Sequence, residues 1–433
     1  MTVTVTTPLM GDKPKLTRAW VLHPDIPSKD IQREPALALE EAVSLAHALS
    51  ELDVAGDMVV RLKQPHPGTL FGKGKLEELR VLFEAEEIEL VLIDGPVSPV
   101  QQRNLEKAWG LKLLDRTGLI LEIFSDRAAT REGVLQVEMA ALSYQRTRLV
   151  RAWTHLERQR GGLGFVGGPG ETQIEADRRA IDLQLVRLRR QLAKVVKTRT
   201  LHRAARAKVP FPIVALVGYT NAGKSTLFNR LTGANVLSKD MLFATLDPTM
   251  RKIELPGGGA QIILSDTVGF ISDLPTELVA AFRATLEEVL EADLICHVRD
   301  ISHPETEEQS RDVATIMESL GVLESTPQIE VWNKIDRLDP DARAAVLTRA
   351  DRAEDVLAIS SITGEGIEAL TEAITEALAG TTYEDVLTLS FADGRQRAWL
   401  YERGLVEAEE QGEDGYALSV RWNAMQKAQF EGL

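Results

Sequence analysis

The sequence predicts an α/β protein in four parts. These are an N-terminal α/β domain over residues 15–128, an antiparallel two-helix coiled-coil hairpin over 129–208, a phosphate-loop domain with a mostly parallel sheet over 209–380, and a short α/β C-terminal domain over 381–433. Three observations lead there. Apolar runs alternate with amphipathic stretches from residue 17 to about 128. Two heptad-spaced segments flank a loop reading GGLGFVGGPG (Gly161–Gly170), and the strand-like run IVALVG (Ile213–Gly218) leads into GYTNAGKS.

In the first part, AWVLHP, DMVVRL and ELVLID have the apolar, β-branched character of strands. ALALEEAVSLAHAL, KLEELRVLFEAEE and SPVQQRNLEKAW carry helical periodicity. Strand–helix alternation implies parallel strands with crossover helices. No catalytic constellation stands out. TLFGKGK (Thr69–Lys75) is either a turn that starts a helix or a basic contact to RNA or nucleotide.

In the second part, Leu135, Met139, Leu142, Leu149, Trp153 and Leu156 follow a four-and-three spacing that Arg146 interrupts. Ile174, Ile181, Leu185, Leu188, Leu192 and Val195 repeat it beyond the glycine loop. This rhythm on both sides of a short loop predicts two helices of about 25 residues, packed antiparallel and projecting some tens of Å at 1.5 Å rise per residue. Glycines at a projecting tip allow close backbone approach to another surface. Leu163, Phe165 and Val166 would be exposed there unless a partner covers them.

Charge points the same way. The chain carries a net −15, yet between Arg146 and Lys208 there are 16 lysines and arginines against 5 acids, a local +11. Arg158, Arg160, Arg178 and Arg179 flank the tip. A cationic segment of this kind suits a phosphate-rich partner such as RNA, whereas a single charged helix would be merely a solvated face.

In the third part, G-x-x-x-x-G-K-[ST] between a buried strand and a helix places backbone N–H groups around phosphates at a helix N-terminus. The cradle is Gly218, Tyr219, Thr220, Asn221, Ala222, Gly223, Lys224, Ser225 and Thr226, with Lys224 on the β- and γ-phosphates and Ser225 on Mg²⁺. ILSDTVGF supplies a second acid, Asp266, at a strand end, followed by Thr267, Val268 and Gly269, whose N–H would reach the γ-phosphate. Between them FATLDPT holds Phe243, Ala244, Thr245, Leu246 and Asp247; Thr245 is the candidate for the second hydroxyl on Mg²⁺, in a loop that orders around the γ-phosphate and releases on hydrolysis. Catalysis is assigned to Lys224, Thr245 and Gly269.

NKID (Asn333, Lys334, Ile335, Asp336) follows the strand QIEVW. A carboxylate there accepts from guanine N1 and N2, and against adenine Asp336 would stay buried and unpaired. AISSITGEG puts Ser360, Ser361 and Ile362 where backbone N–H groups reach guanine O6. In this order the three motifs describe a P-loop GTPase domain.

The chain resembles the HflX family of ribosome-associated GTPases, within the wider Obg-like translation GTPases. FATLDPT, DTVGFISDLP and NKID carry the likeness in the GTPase domain; LFGKGKLEEL, LLDRTGLILEIF, LQVEMAALSYQRTRLVR and GGPGETQIEADRR carry it upstream, over roughly residues 15–380. The resemblance implies GTP and GDP as ligands, binding to the large (50S) ribosomal subunit, splitting of stalled 70S ribosomes and hydrolysis stimulated by that partner. It places the hairpin tip against 23S rRNA near the peptidyl transferase centre. Some relatives also bind ATP and remodel RNA.

Two features depart from familiar GTPases. Phe270 follows DTVG where signalling GTPases have a water-orienting glutamine, so slow intrinsic hydrolysis is expected, with about 10³–10⁵ in rate to be supplied from elsewhere. Asn221 resembles the P-loop asparagine of potassium-stimulated GTPases, which makes K⁺ a candidate stimulating ion beside Mg²⁺. One cysteine, Cys296, excludes an intrachain disulfide, and scattered histidines offer no metal-ligand spacing. With no apolar run of membrane-spanning length and no signal-like N-terminus, the expectation is a cytoplasmic monomer that associates with ribosomes. Alternative readings are a regulatory switch acting through protein partners and an RNA-remodelling NTPase with a second nucleotide site. The tail over 381–433, with VLTLSF and YALSVRW, carries no interpretable motif.

Overall fold

The computed structural model describes residues 16–27, 33–159, 169–206, 211–234, 242–243, 249–255, 261–272, 287–290, 292–322, 326–379, 383–412, 415–422, 426–427 and 430. The first domain runs β1 (Thr17–Asp25), α1 (Pro35–His47), β2 (Leu52–Arg61), α2 (Lys73–Ala85), β3 (Leu90–Ile93), α3 (Pro99–Trp109), β4 (Lys112–Asp115) and α4 (Arg116–Arg127). Its four strands are parallel in the order β2-β1-β3-β4. All four residues of β3 are buried, as a parallel strand covered on both faces requires.

One face packs Trp20, Phe71, Phe83 and Trp109; the other packs Val21, Leu92, Ile120 and Phe124. Gly56 makes room for Trp20, since a Cβ there would lie 2.4 Å from the indole. Helix α3 starts with a capping box, in which Ser98 Oγ accepts from the Gln101 N–H at 3.2 Å and Gln101 Oε1 accepts from the Ser98 N–H at 2.9 Å. TLFGKGK is the turn that opens α2, with Gly72 at the N-cap and Lys75 paired to Glu78 at 2.7 Å.

β4 and α4 lie in KLLDRTGLILEIF, where no loop separates strand from helix. Asp115 ends the strand and caps the helix, accepting from the Gly118 N–H at 2.9 Å. The Tyr144 hydroxyl and the Arg148 guanidinium of the next helix also donate to Asp115, so one carboxylate ties the domain to the hairpin.

The hairpin helices are α5 (Arg131–Gln159) and α6 (Pro169–Arg206), 29 and 38 residues long and so longer than the heptads alone suggested. They pack on each other. Leu135, Leu185 and Leu188 are buried, and Met139, Leu142, Leu149, Ile181, Leu192 and Val195 are half-buried. Arg146, the interruption in the rhythm, pairs with Asp182 across the helices at 2.7 Å. The tip, with Leu163, Phe165 and Val166, lies outside the described residues, as do Arg160 and the side chains of Arg158, Trp153, Leu156 and Ile174.

The third domain runs β5 (Ile213–Gly218), α7 (Lys224–Thr232), β6 (Thr249–Glu254), β7 (Gln261–Asp266), α8 (Glu287–Leu290), β8 (Leu294–Asp300), α9 (Thr306–Leu320), β9 (Gln328–Asn333), α10 (Pro340–Ala350), β10 (Val356–Ala358) and α11 (Ile367–Ala379). Strand order is β10-β9-β8-β5-β7-β6, all parallel except β6, which is antiparallel to β7. Cys296 sits inside β8 at 0% exposure, where burial pushes its thiol up to about 12. The tail is antiparallel, with β11 (Tyr383–Ser390), β12 (Val406–Gln411) and β13 (Gly415–Trp422) in the order β11-β13-β12. Helix α12 (Gly394–Glu402) places Leu400 against Leu389, Leu418 and Trp422. Among the described residues no helix is long and apolar enough to cross a membrane, and no cluster of histidine, cysteine and carboxylate could hold a metal.

The first and third domains share one hydrophobic cluster, in which Phe124 meets Phe243 edge-on at 4.7 Å. A buried polar joint adjoins it. Arg116 donates to Glu41 at 2.6 Å, to Asp94 at 2.7 Å and to the Ser272 carbonyl at 3.0 Å. Arg33 pairs with Glu41 at 3.1 Å and Glu305 at 3.4 Å. Burial alone would raise the Glu41 carboxyl, but Arg116, Arg33 and the Tyr219 hydroxyl hold it below its ordinary value; His23 and Arg116 do the same for Asp94.

Carboxylates depressed in the folded state stabilise it fully above their unfolded values, and that contribution is lost as pH falls below about 4. Denaturant titrations across this range are expected to show stability falling with acid. Glu41→Gln should lower stability at neutral pH by about 3 kcal/mol, because it strands Arg33 and Arg116, and should flatten the acid limb.

Candidate active site

The phosphate loop connects the middle of the sheet to α7, and three of its backbone angles explain its residues. Gly218 has φ +155° and a Cβ there would lie 2.1 Å from the Val298 carbonyl oxygen; at Gly223, φ +96°, it would lie 2.2 Å from Asn333 Nδ2. Asn221, exposed at the turn, also has positive φ, a conformation that asparagine tolerates. Lys224 is buried, donating to the Gly218 and Tyr219 carbonyls at 3.1 and 2.8 Å. Burial, with Lys334 nearby, lowers its ammonium to about 8 against the pull of Asp266. The buried Thr220 hydroxyl has no hydrogen-bond partner among the described residues. An under-stabilised ammonium and an orphaned hydroxyl in one loop fit an anion such as phosphate.

Ser225, in the first turn of α7 beside the half-buried Thr226, donates from Oγ to Asp266 Oδ2 at 2.8 Å. Two of the hard oxygen donors expected around Mg²⁺ are therefore together, at the start of α7 and the end of β7. Ala244, Thr245, Leu246 and Asp247 lie outside the described residues. Phe243 faces the core against Phe124, and Thr267 turns its hydroxyl to the Leu216 carbonyl at 2.7 Å. Val268 is buried as well.

The turn after Asp266 is pinned on the phosphate loop. Thr220 N–H donates to the Phe270 carbonyl at 2.7 Å and Phe270 N–H to the Gly218 carbonyl at 3.1 Å. Gly269 is thereby held so close that a Cβ would stand 2.8 Å from Thr220 Cα and 3.1 Å from Lys224 Nζ. Phe270 is buried, so its side chain cannot orient water.

At the base end, Asn333 donates to the Ala222 carbonyl at 2.8 Å and accepts from Ser361 N–H and Oγ at 3.0 and 2.9 Å. Lys334, in a left-handed conformation, pairs with Asp300 at 2.7 Å, and Ile335 is fully buried. Asp336 accepts from Ser360 Oγ at 2.5 Å and is exposed. The N–H groups of Ser360 and Ser361 donate to Glu365 O and Asn333 Oδ1, each at 3.0 Å. Ile362 alone of the three keeps a free N–H among the described residues.

Sequence reasoning missed the joint to the first domain. Tyr219, inside the phosphate loop, donates to Glu41 at 2.5 Å and accepts from the Ser272 N–H at 2.9 Å, while Ser272 Oγ reaches Asp312 at 2.5 Å. The available signal was Arg116, a charge inside the apolar run LLDRTGLILEIF. In equilibrium binding, Asp336→Asn is expected to exchange guanine for xanthine preference by about 1–3 kcal/mol, the scale of one bidentate contact.

Four family models match in sequence: GTP-binding GTPase N-terminal over 37–125, GTP-binding GTPase Middle Region over 127–206, 50S ribosome-binding GTPase over 213–334 and HflX C-terminal domain over 345–432. The chain is 49% identical to GTPase HflX of Magnetococcus marinus, covering 88% of this chain and 87% of that one. It is 46% identical to GTPase HflX of Escherichia coli, covering 83% and 84%. A GTP-binding protein from Sulfolobus solfataricus in complex with GDP superposes with a TM-score of 0.45 and 23% identity, over 84% of this chain and 99% of that one. The four family models, which together span most of the chain, and relatives at 49% and 46% identity over most of its length place the chain in the HflX family of GTPases.

Proposed function

We propose that this chain is a Mg²⁺-dependent GTPase that engages the large ribosomal subunit through the α5–α6 hairpin and separates stalled 70S ribosomes. The observation that carries the ribosomal part is the cationic surface of α6. Arg178, Arg187, Arg189 and Arg190 are exposed there and, among the described residues, have no carboxylate partner. In a chain of net −15, a cationic rod of this kind suits a phosphate backbone. The match to a model described as 50S ribosome-binding GTPase supports the same partner. The tip, from Gly161 to Gly170, would meet 23S rRNA.

For the reaction, Lys224 neutralises charge on the β- and γ-phosphates, and its low proton affinity rises as the anion arrives. Gly269 offers its N–H to the γ-phosphate. Ser225 and Asp266, with Thr245, would hold Mg²⁺, which supplies charge neutralisation across the same phosphates. Asp336 and the Ile362 N–H read the base. Phe270 leaves the attacking water without a side chain to orient it, so turnover depends on a group from the ribosome, on K⁺ at Asn221, or on both. With the site assembled and the nucleophile unassisted, the resting chain is a slow enzyme.

Lys224→Ala is expected to abolish GTP hydrolysis, measured as phosphate release; wild-type turnover would remove the phosphate-loop assignment. Deleting Gly161–Gly170 should leave GDP affinity intact and abolish co-sedimentation with 50S subunits and splitting of 70S ribosomes. Retained splitting would reduce the hairpin to a spacer and favour a switch that acts through proteins. Wild-type co-sedimentation should weaken steeply between 50 and 200 mM salt.

A further inference from the structure

Arg230, in the last turn of α7, donates to three successive carbonyls of the base loop. Nη1 reaches Ser361 O at 3.2 Å and Ile362 O at 2.9 Å, and Nη2 reaches Thr363 O at 3.0 Å. The loop is shaped around it, because a Cβ on Gly364, which has φ +94°, would lie 2.1 Å from Arg230 Nη2. The remaining donors are spent internally. Thr363 N–H goes to Ser360 Oγ at 3.1 Å and Gly364 N–H to Ser360 O at 2.9 Å, beside the two already described.

In a trans peptide the C=O and N–H point in opposite directions. Holding the Ser361 carbonyl on the guanidinium therefore aims the Ile362 N–H away from Arg230, where it has no partner among the described residues. We propose that Arg230 is a positioning residue for guanine specificity, fixing the Ile362 N–H as the donor to O6 of the base. The proposal rests on the reading of NKID and the following loop as the base site. A fork of planar donors can bridge neighbouring carbonyls, which the point charge of a lysine cannot do. The bland alternative, a cation that merely complements the C-terminal dipole of α7, requires only charge.

The test is equilibrium binding of three nucleoside diphosphates to the full chain. GDP presents O6, N1–H and N2; inosine diphosphate keeps O6 and N1–H; 2-aminopurine riboside diphosphate keeps N2 but lacks O6 and N1–H. Arg230→Ala is expected to weaken GDP and inosine diphosphate by about tenfold each, the scale of one lost hydrogen bond, and to leave the 2-aminopurine compound within about twofold. Arg230→Lys should lose nearly as much as alanine, and it carries the same contrast if the alanine variant does not fold. Equal losses on all three ligands, no loss on GDP, or full rescue by lysine would overturn the proposal. If the wild-type chain fails to prefer GDP over the 2-aminopurine compound, the base-site reading itself falls. If that preference holds and Arg230→Ala leaves it intact, only the role of Arg230 falls.

Discussion

A single buried amide holds the two ends of the nucleotide site in register. Asn333 is 1% exposed and satisfies both of its functions at once, on the Ala222 carbonyl of the phosphate loop and on Ser361 of the base loop. The carbonyl, the amide and the serine come from three separate segments at the carboxyl ends of β5, β9 and β10. Parallel strands leave their loops at one edge of the sheet, and ligands of open α/β sheets bind there. This bridge ties the phosphate loop directly to the base loop. With it, the distance between the triphosphate and purine positions is built into the protein before a ligand arrives.

The first domain is fastened to the phosphate-loop end of the same site. Tyr219 belongs to the phosphate loop and Ser272 lies three residues past Gly269, yet both are bound by side chains of α1 and α4. Charged groups this deeply buried are favourable only when every partner is present. Glu41 is matched by Arg33 and Arg116, and Arg116 is matched in turn by Asp94. Any displacement of the turn after Asp266 therefore has to be accommodated by this joint or to break it. The apolar contact between Phe124 and Phe243 runs beside it, so Phe243 is anchored from the same side.

Local spacing made much of this legible. The phosphate loop, the acid at the end of β7 and NKID are short patterns whose chemistry is fixed by neighbours in sequence, and their residues converge on one sheet edge. The heptads were visible for the same reason, down to Arg146, whose intrusion is explained by Asp182. What escaped depends on distant partners. β4 and α4 share Asp115 with no intervening loop, so the apolar run containing them has no punctuation to read. Arg230 looks like an ordinary helix-surface arginine until the loop 131 residues later is placed beside it.

Cys296 gives the molecule a practical property. The chain contains no other cysteine, and this one is sealed in the central sheet with a thiol that burial keeps protonated at neutral pH. A thiolate is the form that reacts with maleimides, so the native protein is silent to such reagents while it stays folded. A cysteine introduced on the hairpin would then take up a fluorophore alone, with no background to remove. The rod could be followed as a one-colour reporter of docking without first stripping the protein of its own sulfur.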